Sequence, residues 1–212
     1  VQELAEKIDD FRRQIDFEFL ADEIPKAIGQ SRDGLDRIAH IVGALKHFSH
    51  PDGEVKEPAD LNAAIASTAT ISRARWTDVA DLEFDFDPEL PLIPVYLGAF
   101  NQVVLNLIVN AADAITDAMR DPAHKGRIVI STRVDDADVV VAVTDNGPGI
   151  PPEIQQRVFD PFFTTKAVDK GTGQGLSICH SLIAKHGGEL SFISDLGVET
   201  TFRIRIPRGD QV

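Results

Sequence analysis

Asn101-Gln-Val-Val-Leu-Asn-Leu-Ile-Val-Asn-Ala-Ala-Asp113 is the stretch around which the rest of the chain is read. Val103, Val104, Leu107, Ile108 and Ala111 recur at helical spacing, so the segment belongs to a long helix expected over Phe100 to Ala118. Asn106, Asn110 and Asp113 fall on one side of that helix, within about 60° of one another. Two readings of this polar stripe stand side by side. It can be the solvated face of an amphipathic helix. Against that, Asn is a poor helix former, and Glu, Lys or Arg would serve a solvated face better. An amide oxygen is a hard, neutral ligand of the kind Mg²⁺ accepts when phosphates supply the charge.

Downstream, Val141-Ala-Val-Thr-Asp-Asn-Gly-Pro-Gly-Ile150 ends a buried strand in Asp145, followed by two glycines that let the backbone turn sharply. A plain strand-to-turn junction has this composition. So does a carboxylate at the mouth of a core that accepts a hydrogen bond from an exocyclic amine, as adenine offers. Phe159-Asp-Pro-Phe-Phe-Thr-Thr-Lys166 then provides aromatics to anchor a loop, with Thr164, Thr165 and Lys166 projecting from it. Gly171-Thr-Gly-Gln-Gly-Leu-Ser177 opens a helix, and Gly171, Gly173 and Gly175 present backbone N–H groups ahead of its N-terminus, a ready anion site. Three glycines in five residues also describe a mobile lid. The loop lacks the Gly-Lys-Ser/Thr ending of a P-loop, and no strand runs directly into it as in a dinucleotide fingerprint.

Outward from this centre the texture is mixed. Leu61 to Ile71 reads as a helix capped by Asp60, Leu82 to Phe86 as a strand, and Pro88, Pro91 and Pro94 make the next stretch irregular or edge-like. Strands are expected at Arg127–Val134, Asp138–Thr144, Glu189–Ile193 and Thr200–Ile206, and a helix at Ser177–His186 stopped by Gly187-Gly188. His186 is expected to end that helix with a partial positive charge that suits the dipole. Helices and strands do not alternate as βαβ units, so the expected fold is α+β, a two-layer α/β sandwich. The first part of the chain differs. Val1, Leu4, Ile8, Phe11 and Ile15 form one helical seam, and Ile24, Ile28, Leu35, Ile38, Val42, Leu45 and Phe48 another after a break near Pro25. A helical segment over residues 1–52, read either as an α-helical hairpin lying on its own domain or as part of a dimeric bundle, precedes the sandwich at 53–212, with His50-Pro51-Asp52-Gly53 marking the boundary.

Composition bounds the function classes. The 212 residues are 43% hydrophobic and 26% charged, ordinary for a soluble globular protein. Lys plus Arg number 21 against 34 Asp plus Glu, a formal net charge of −13 with no basic run, which argues against a nucleic-acid partner. The single Cys179 excludes an internal disulfide framework and fits a cytoplasmic, reducing setting. No apolar run approaches the roughly 18 residues that span a bilayer, so no membrane contact is expected of this segment. Helical pattern from Val1 onward is what a piece of a longer protein would show, and an upstream membrane anchor stays open.

Taken in order, the Asn-bearing helix, Asp-x-Gly-x-Gly, Phe-x-Pro-Phe, Gly-Thr-Gly-x-Gly-Leu and a closing Gly-x-x-Thr-x-Phe resemble the nucleotide-binding boxes of two-component sensor histidine kinases. The ATPases of gyrase, mismatch repair and the heat-shock chaperone share that fold. Asn-Leu-x-x-Asn-Ala-x-Asp-Ala at Asn106–Ala114 and His186-Gly-Gly188 favour the kinases within the group. Leu35 to Ser49 is similar to the second dimerisation helix of those kinases. The resemblance implies ATP and Mg²⁺ as cofactors, with Asn110 as the Mg²⁺ ligand and Asn106 near the phosphates. It implies that Asp145 binds the adenine amine, that Gly147 and Gly149 shape the pocket, and that Lys166 and the Gly171–Gly175 loop contact phosphates. Asp113, Ile150, Phe159, Thr164, Thr165, Thr172 and Leu176 complete the implied nucleotide site. Thr200 supports the adenine side through water, and catalysis falls to Asn106, Asn110 and Lys166. A homodimer in the intact kinase and a response-regulator receiver domain are the implied partners.

Two departures accompany the match. Glu199 stands where the last box usually has Gly. None of the six histidines is followed by the Glu-x-x-x-Pro of a phosphoacceptor, so the acceptor is expected outside this segment and the segment alone is not expected to autophosphorylate. His40 and His47 read as packing or solvated-face residues, Trp76 and Cys179 as packing residues. The rival readings are an ATP-hydrolysing conformational switch and a catalytically silent nucleotide-binding partner module. A gyrase-like hydrolase would carry a Glu on the Asn-bearing helix, and Phe100–Ala118 contains none. An anti-sigma-type serine kinase would lack the long helical leader.

Overall fold

The computed structural model describes residues 19–29, 31, 55–118, 124–166 and 172–208. The chain divides into two compact units, Val1–Gly53 and Glu54–Val212. In the first, residues 19–29 are helical, and the break expected near Pro25 is absent because the helix runs through it. Proline there removes one backbone donor at a cost of about 3 kcal/mol. Lys26, paired with Asp22 at 2.6 Å and Glu23 at 3.0 Å, spans the position from outside. Each such pair offsets only about 0.2–0.5 kcal/mol. Phe19, Ile24 and Ile28 are exposed on this helix. The remainder of the two seams, with His40, His47 and His50, lies outside the described residues.

The second unit runs β1 (Glu57–Ala59), α1 (Leu61–Ile71), α2 (Arg73–Trp76), β2 (Ala80–Asp85), β3 (Ile93–Val95), α3 (Leu97–Ala118), β4 (Gly126–Asp135), β5 (Asp138–Asp145), α4 (Pro152–Gln155), α5 (Gly175–Lys185), β6 (Glu189–Asp195) and β7 (Glu199–Pro207). A five-stranded sheet has the order β2-β4-β5-β7-β6, with β2 parallel to β4 and the other pairs antiparallel. Helices α1, α3 and α5 cover one face, as the α+β sandwich requires. The stretch rich in Pro supplies β3, which pairs with β1 in a small separate ladder where Pro58 faces Pro94. The four-residue helices α2 and α4 were not anticipated, being too short to show a period.

Alternation on the central strands decides which face meets the helices. On β5, Val139, Val141, Val143 and Asp145 are buried, and on β7, Thr200, Phe202, Ile204 and Ile206. Each buried residue of β5 sits opposite one of β7. Against this surface α3 presents Phe100, Val103, Val104, Leu107, Ile108, Ala111, Ala112 and Ile115. Burying one such Val, Leu, Ile or Phe contributes about 1.5–3 kcal/mol. Orientation of α1 is set by a polar contact instead. The fully buried Thr132 of β4 donates to Asn62 Oδ1 of α1 at 2.8 Å and accepts the Asp87 N–H at 3.0 Å. Asp60 caps α1 as expected, accepting from Ala63 N at 3.0 Å.

The end of α5 corrects one expectation. Gly187 adopts φ +76, its N–H bonds Ala184 O at 2.9 Å, and Gly188 N–H bonds Ile183 O at 3.1 Å, a Schellman closure. His186, however, is 2% exposed and carries no positive charge there. Burial holds its pKa below the ordinary 6.5, against the opposing pull of Leu182 O. Nε2 accepts the Tyr96 N–H at 3.0 Å, so the ring proton sits on Nδ1 and is donated to Leu182 O at 2.7 Å. The imidazole thus clasps the approach to α3 onto α5. Lys56 Nζ adds a bond to His186 O at 2.8 Å, and Lys185 Nζ lies 4.4 Å from the Tyr96 ring centroid.

A pH dependence follows from this clasp. Because the folded-state pKa is depressed, the unfolded chain takes up the proton first on acidification, and stability falls from about pH 7 downward. His186→Ala is expected to lower stability at pH 7.5 by about 2–4 kcal/mol and to flatten the loss between pH 7.5 and 5.5. Urea denaturation midpoints at the two pH values measure both effects.

Candidate active site

The apolar pairs of β5 and β7 end in a polar one. After Val143↔Phe202 comes Asp145↔Thr200, on the same buried face, with Ile128 of β4 on the other side of Asp145. Asp145 is 3% exposed and Thr200 4%. Burial pushes the Asp145 carboxyl up to about 6, against the Gly147 N–H, which donates to Oδ1 at 2.9 Å and holds it down; the charge of Glu199 adds a further push upward. A carboxylate has acceptor capacity for about four hydrogen bonds. Among the described residues it receives this one, so it can take a donor from a ligand.

The glycines after Asp145 are set by close approach. A Cβ on Gly147 would lie 2.6 Å from Asp145 Oδ1 and 3.2 Å from Ala114 Cβ of α3. Gly149, at φ +73, backs onto the β6–β7 turn, where a Cβ would lie 2.5 Å from Asp195 O. Gly197 N–H closes that contact by donating to Pro148 O at 2.7 Å. Ile150 packs on the core while its N–H donates to Ser194 Oγ at 2.8 Å. Thr200 Oγ1 stands 2.9 Å from the same Ser194 hydroxyl.

The Asn-bearing helix faces α5. Asn106 is buried, and its Nδ2 donates to Cys179 Sγ at 3.6 Å. Burial pushes the Cys179 thiol up to about 12, against the opposing pull of the Asn106 bond, and leaves it a packing residue. Asn110 is half-buried, and a Cβ on Gly175, the first residue of α5, would stand 3.9 Å from its Nδ2. One turn further on, Asp113 accepts from Lys166 Nζ at 2.6 Å, which ties the loop bearing Lys166 to α3. The structure therefore brings Asn110, Asp113, Lys166 and the start of α5 together, with Asp145 and Thr200 at the sheet end.

The loop residues divide. Phe159 is half-buried against His180, 5.4 Å between centroids, and Phe192, 5.8 Å, so it anchors the loop. Thr164 and Thr165 are exposed, and Thr164 Oγ1 accepts the Lys166 N–H at 3.1 Å. Gly173, at φ +63, packs on Phe162, where a Cβ would lie 2.4 Å from the carbonyl carbon. Phe162 itself has φ 66, an uncommon conformation for an aromatic residue. The two ends of the glycine-bearing loop are thus held against each other. Thr172 and Leu176 are half-buried, Thr172 Oγ1 accepting from Gln174 N at 3.4 Å and Leu176 packing on the core. Gly171 lies outside the described residues. Ser194 was missed in the sequence, where a lone serine in a strand carries no signal.

Residues 98–210 match the family described as histidine kinase-, DNA gyrase B-, and HSP90-like ATPase. The chain is 35% identical over 193 residues to the sensor kinase CckA of Brucella abortus (strain 2308), covering 84% of this chain but 20% of that protein's length. Among solved structures it is similar to the catalytic domain of histidine kinase ThkA, with TM-score 0.61, 28% identity, and coverage of 74% of this chain and 97% of that one. It is also similar to ThkA solved in complex with response regulator protein TrrA, with TM-score 0.65, 27% identity, and coverage of 84% and 49%. Among the described residues no helix is long and apolar enough to cross a membrane.

The electrostatics of Asp145 yield an expectation independent of any ligand. Its folded-state pKa is raised, so its contribution to stability is present below the ordinary 3.8 and is lost as pH rises through about 6. Asp145→Asn removes that charge and is expected to stabilise the ligand-free protein at pH 7.5 by about 1–2 kcal/mol. The gain should vanish below about pH 4. Thermal unfolding of both proteins across that range gives the comparison.

Proposed function

This chain belongs to the histidine kinase-, DNA gyrase B-, and HSP90-like ATPase family, in its histidine kinase type, and from that premise we propose that it binds ATP with Mg²⁺ and directs the γ-phosphoryl group to a histidine outside this segment. Relay to an aspartate of a response regulator, dimerisation of the intact kinase and a cytoplasmic setting belong to the same proposal. The observation that carries it is Asp145: a carboxylate buried at the end of an apolar column, with acceptor capacity to spare and glycine-lined backbone beside it.

The residues present fit the group. Asn110 offers a neutral amide oxygen, Lys166 a cation, and α5 a helix N-terminus beginning at Gly175. Asp145 accepts the exocyclic amine of adenine, whereas guanine presents a carbonyl at the matching position. Gly147 leaves room for a base to approach where any side chain would strike Asp145 or Ala114. Lys166, preset against Asp113, is the cation for the phosphate end, and Asn110 is the proposed Mg²⁺ ligand, with Asn106 behind it. Bound Mg²⁺ supplies charge neutralisation across the phosphates. Positioning and electrostatics account for most of phosphoryl transfer, so no protein nucleophile is needed in this unit. Strong hydrolysis is disfavoured because α3 offers no glutamate to activate water.

Calorimetric titration with ATP, with and without Mg²⁺, tests the binding. The chain is expected to bind, and Asp145→Ala to lose about tenfold or more in affinity. Wild-type affinity should fall between pH 7 and 5 as the carboxyl protonates, while the variant's dependence is shallower. In a longer chain carrying a His-Glu-x-x-x-Pro segment, acid-labile phosphohistidine should form with Asp145 and not with Ala. A folded wild-type chain that binds no ATP would overturn the proposal.

A further inference from the structure

One polar row crosses three strands at the site end of the sheet. Asp145 of β5 pairs with Thr200 of β7, and Thr200 pairs with Ser194 of β6. Residues directly opposite in an antiparallel ladder share a face, so these three side chains stand in line on the buried side. The neighbouring row, Val143, Phe202 and Phe192, is wholly apolar. Ser194 is therefore placed where core packing would accept a hydrophobic residue, and its hydroxyl is fully engaged.

Ser194 has one hydroxyl proton and three polar partners. Ile150 N–H can only donate, so Ser194 Oγ accepts it, at 2.8 Å. The one hydroxyl proton of Ser194 then has two acceptors within reach, Thr200 Oγ1 at 2.9 Å and Glu199 O at 3.3 Å. The shorter contact is to Thr200. In the arrangement in which Ser194 donates there, the proton of Thr200 is released from the Ser194 bond and is available to a ligand at the Asp145 end of the row. Asp145 as acceptor beside Thr200 as donor matches the adenine edge, which presents an amine donor next to a ring-nitrogen acceptor. Guanine presents the reverse order.

We propose that Ser194 is a positioning residue of the adenine site: it fixes the direction of the Thr200 hydroxyl and ties it to the Gly147–Ile150 turn. The inference rests on the adenine-nucleotide reading above and extends it to a residue that need not touch the nucleotide. Its contribution passes through Thr200, and that separates it from a serine that merely holds the Ile150 backbone.

A double-mutant cycle on ADP binding with Mg²⁺, read by calorimetry, tests this. Ser194→Ala and Thr200→Val are each expected to weaken binding about three- to tenfold, the range of one neutral hydrogen bond. The double variant should be no weaker than the weaker single one, within about twofold, because both changes break one pathway. Ser194→Thr, which keeps the hydroxyl, should restore near-wild-type affinity. Wild-type affinity in Ser194→Ala, or losses that multiply in the double variant, would overturn the role of Ser194 while leaving nucleotide binding intact. A wild-type chain that does not bind ADP would overturn the nucleotide reading and this inference together.

Discussion

Placing a carboxylate at the end of a column of apolar pairs is the constraint on which the site depends. Val139, Val141 and Val143 of β5 carry the core as far as Asp145, where burial penalises the charge and, among the described residues, no lysine or arginine pairs with it. One backbone N–H, that of Gly147, offsets part of the cost. For that N–H to reach, residue 147 must lie against both Asp145 and Ala114, which excludes a side chain. Gly149 then returns the chain against the β6–β7 turn, again too close for a Cβ. The glycines near Asp145 are thus consequences of where the carboxylate stands.

The second constraint is the double duty of α3. Its apolar face fills the space above the sheet, while Asn106, Asn110 and Asp113 look toward α5 and the loop that precedes it. Asn106 meets Cys179, Asn110 meets the first residue of α5, and Asp113 holds Lys166. At the opposite end the His186 imidazole ties the approach to α3 to the end of α5. The two helices that wall the site are therefore locked by polar contacts at one end and by a neutral imidazole at the other. A charged His186 would put a second donor against the Tyr96 N–H, which explains why the expectation of a dipole-stabilised cation failed.

Much of this was legible in the residues. The core face of α3, the buried strand β5, the Asp60 cap and the Gly187-Gly188 stop follow from periodicity and local chemistry. The boxes around Asn110, Asp145 and Gly175 carried the family. Local rules misjudged Pro25, where the helix continues, and left α2 and α4 unread because four residues show no period. Thr132 and Ser194 could not be found either. Each is one hydroxyl residue in a strand, and each has a partner distant in sequence, Asn62 roughly 70 residues from Thr132 and Ile150 roughly 44 from Ser194.

The amino-acid sequence by itself determined the types of the longer elements, the buried side of α3, and the set of residues from which a nucleotide site could be built. Those properties depend on spacing and on side-chain chemistry, both local. Only the tertiary structure decided which members of the set meet. Strand register alone puts Asp145, Thr200 and Ser194 in one row, and helix packing alone brings Lys166 to Asp113 and Asn106 to Cys179. Register and packing are settled by the whole core at once, since shifting a strand by one residue would turn its entire apolar face outward. The protonation of His186 and Asp145 belongs to the same class, because burial is a property of everything around a group.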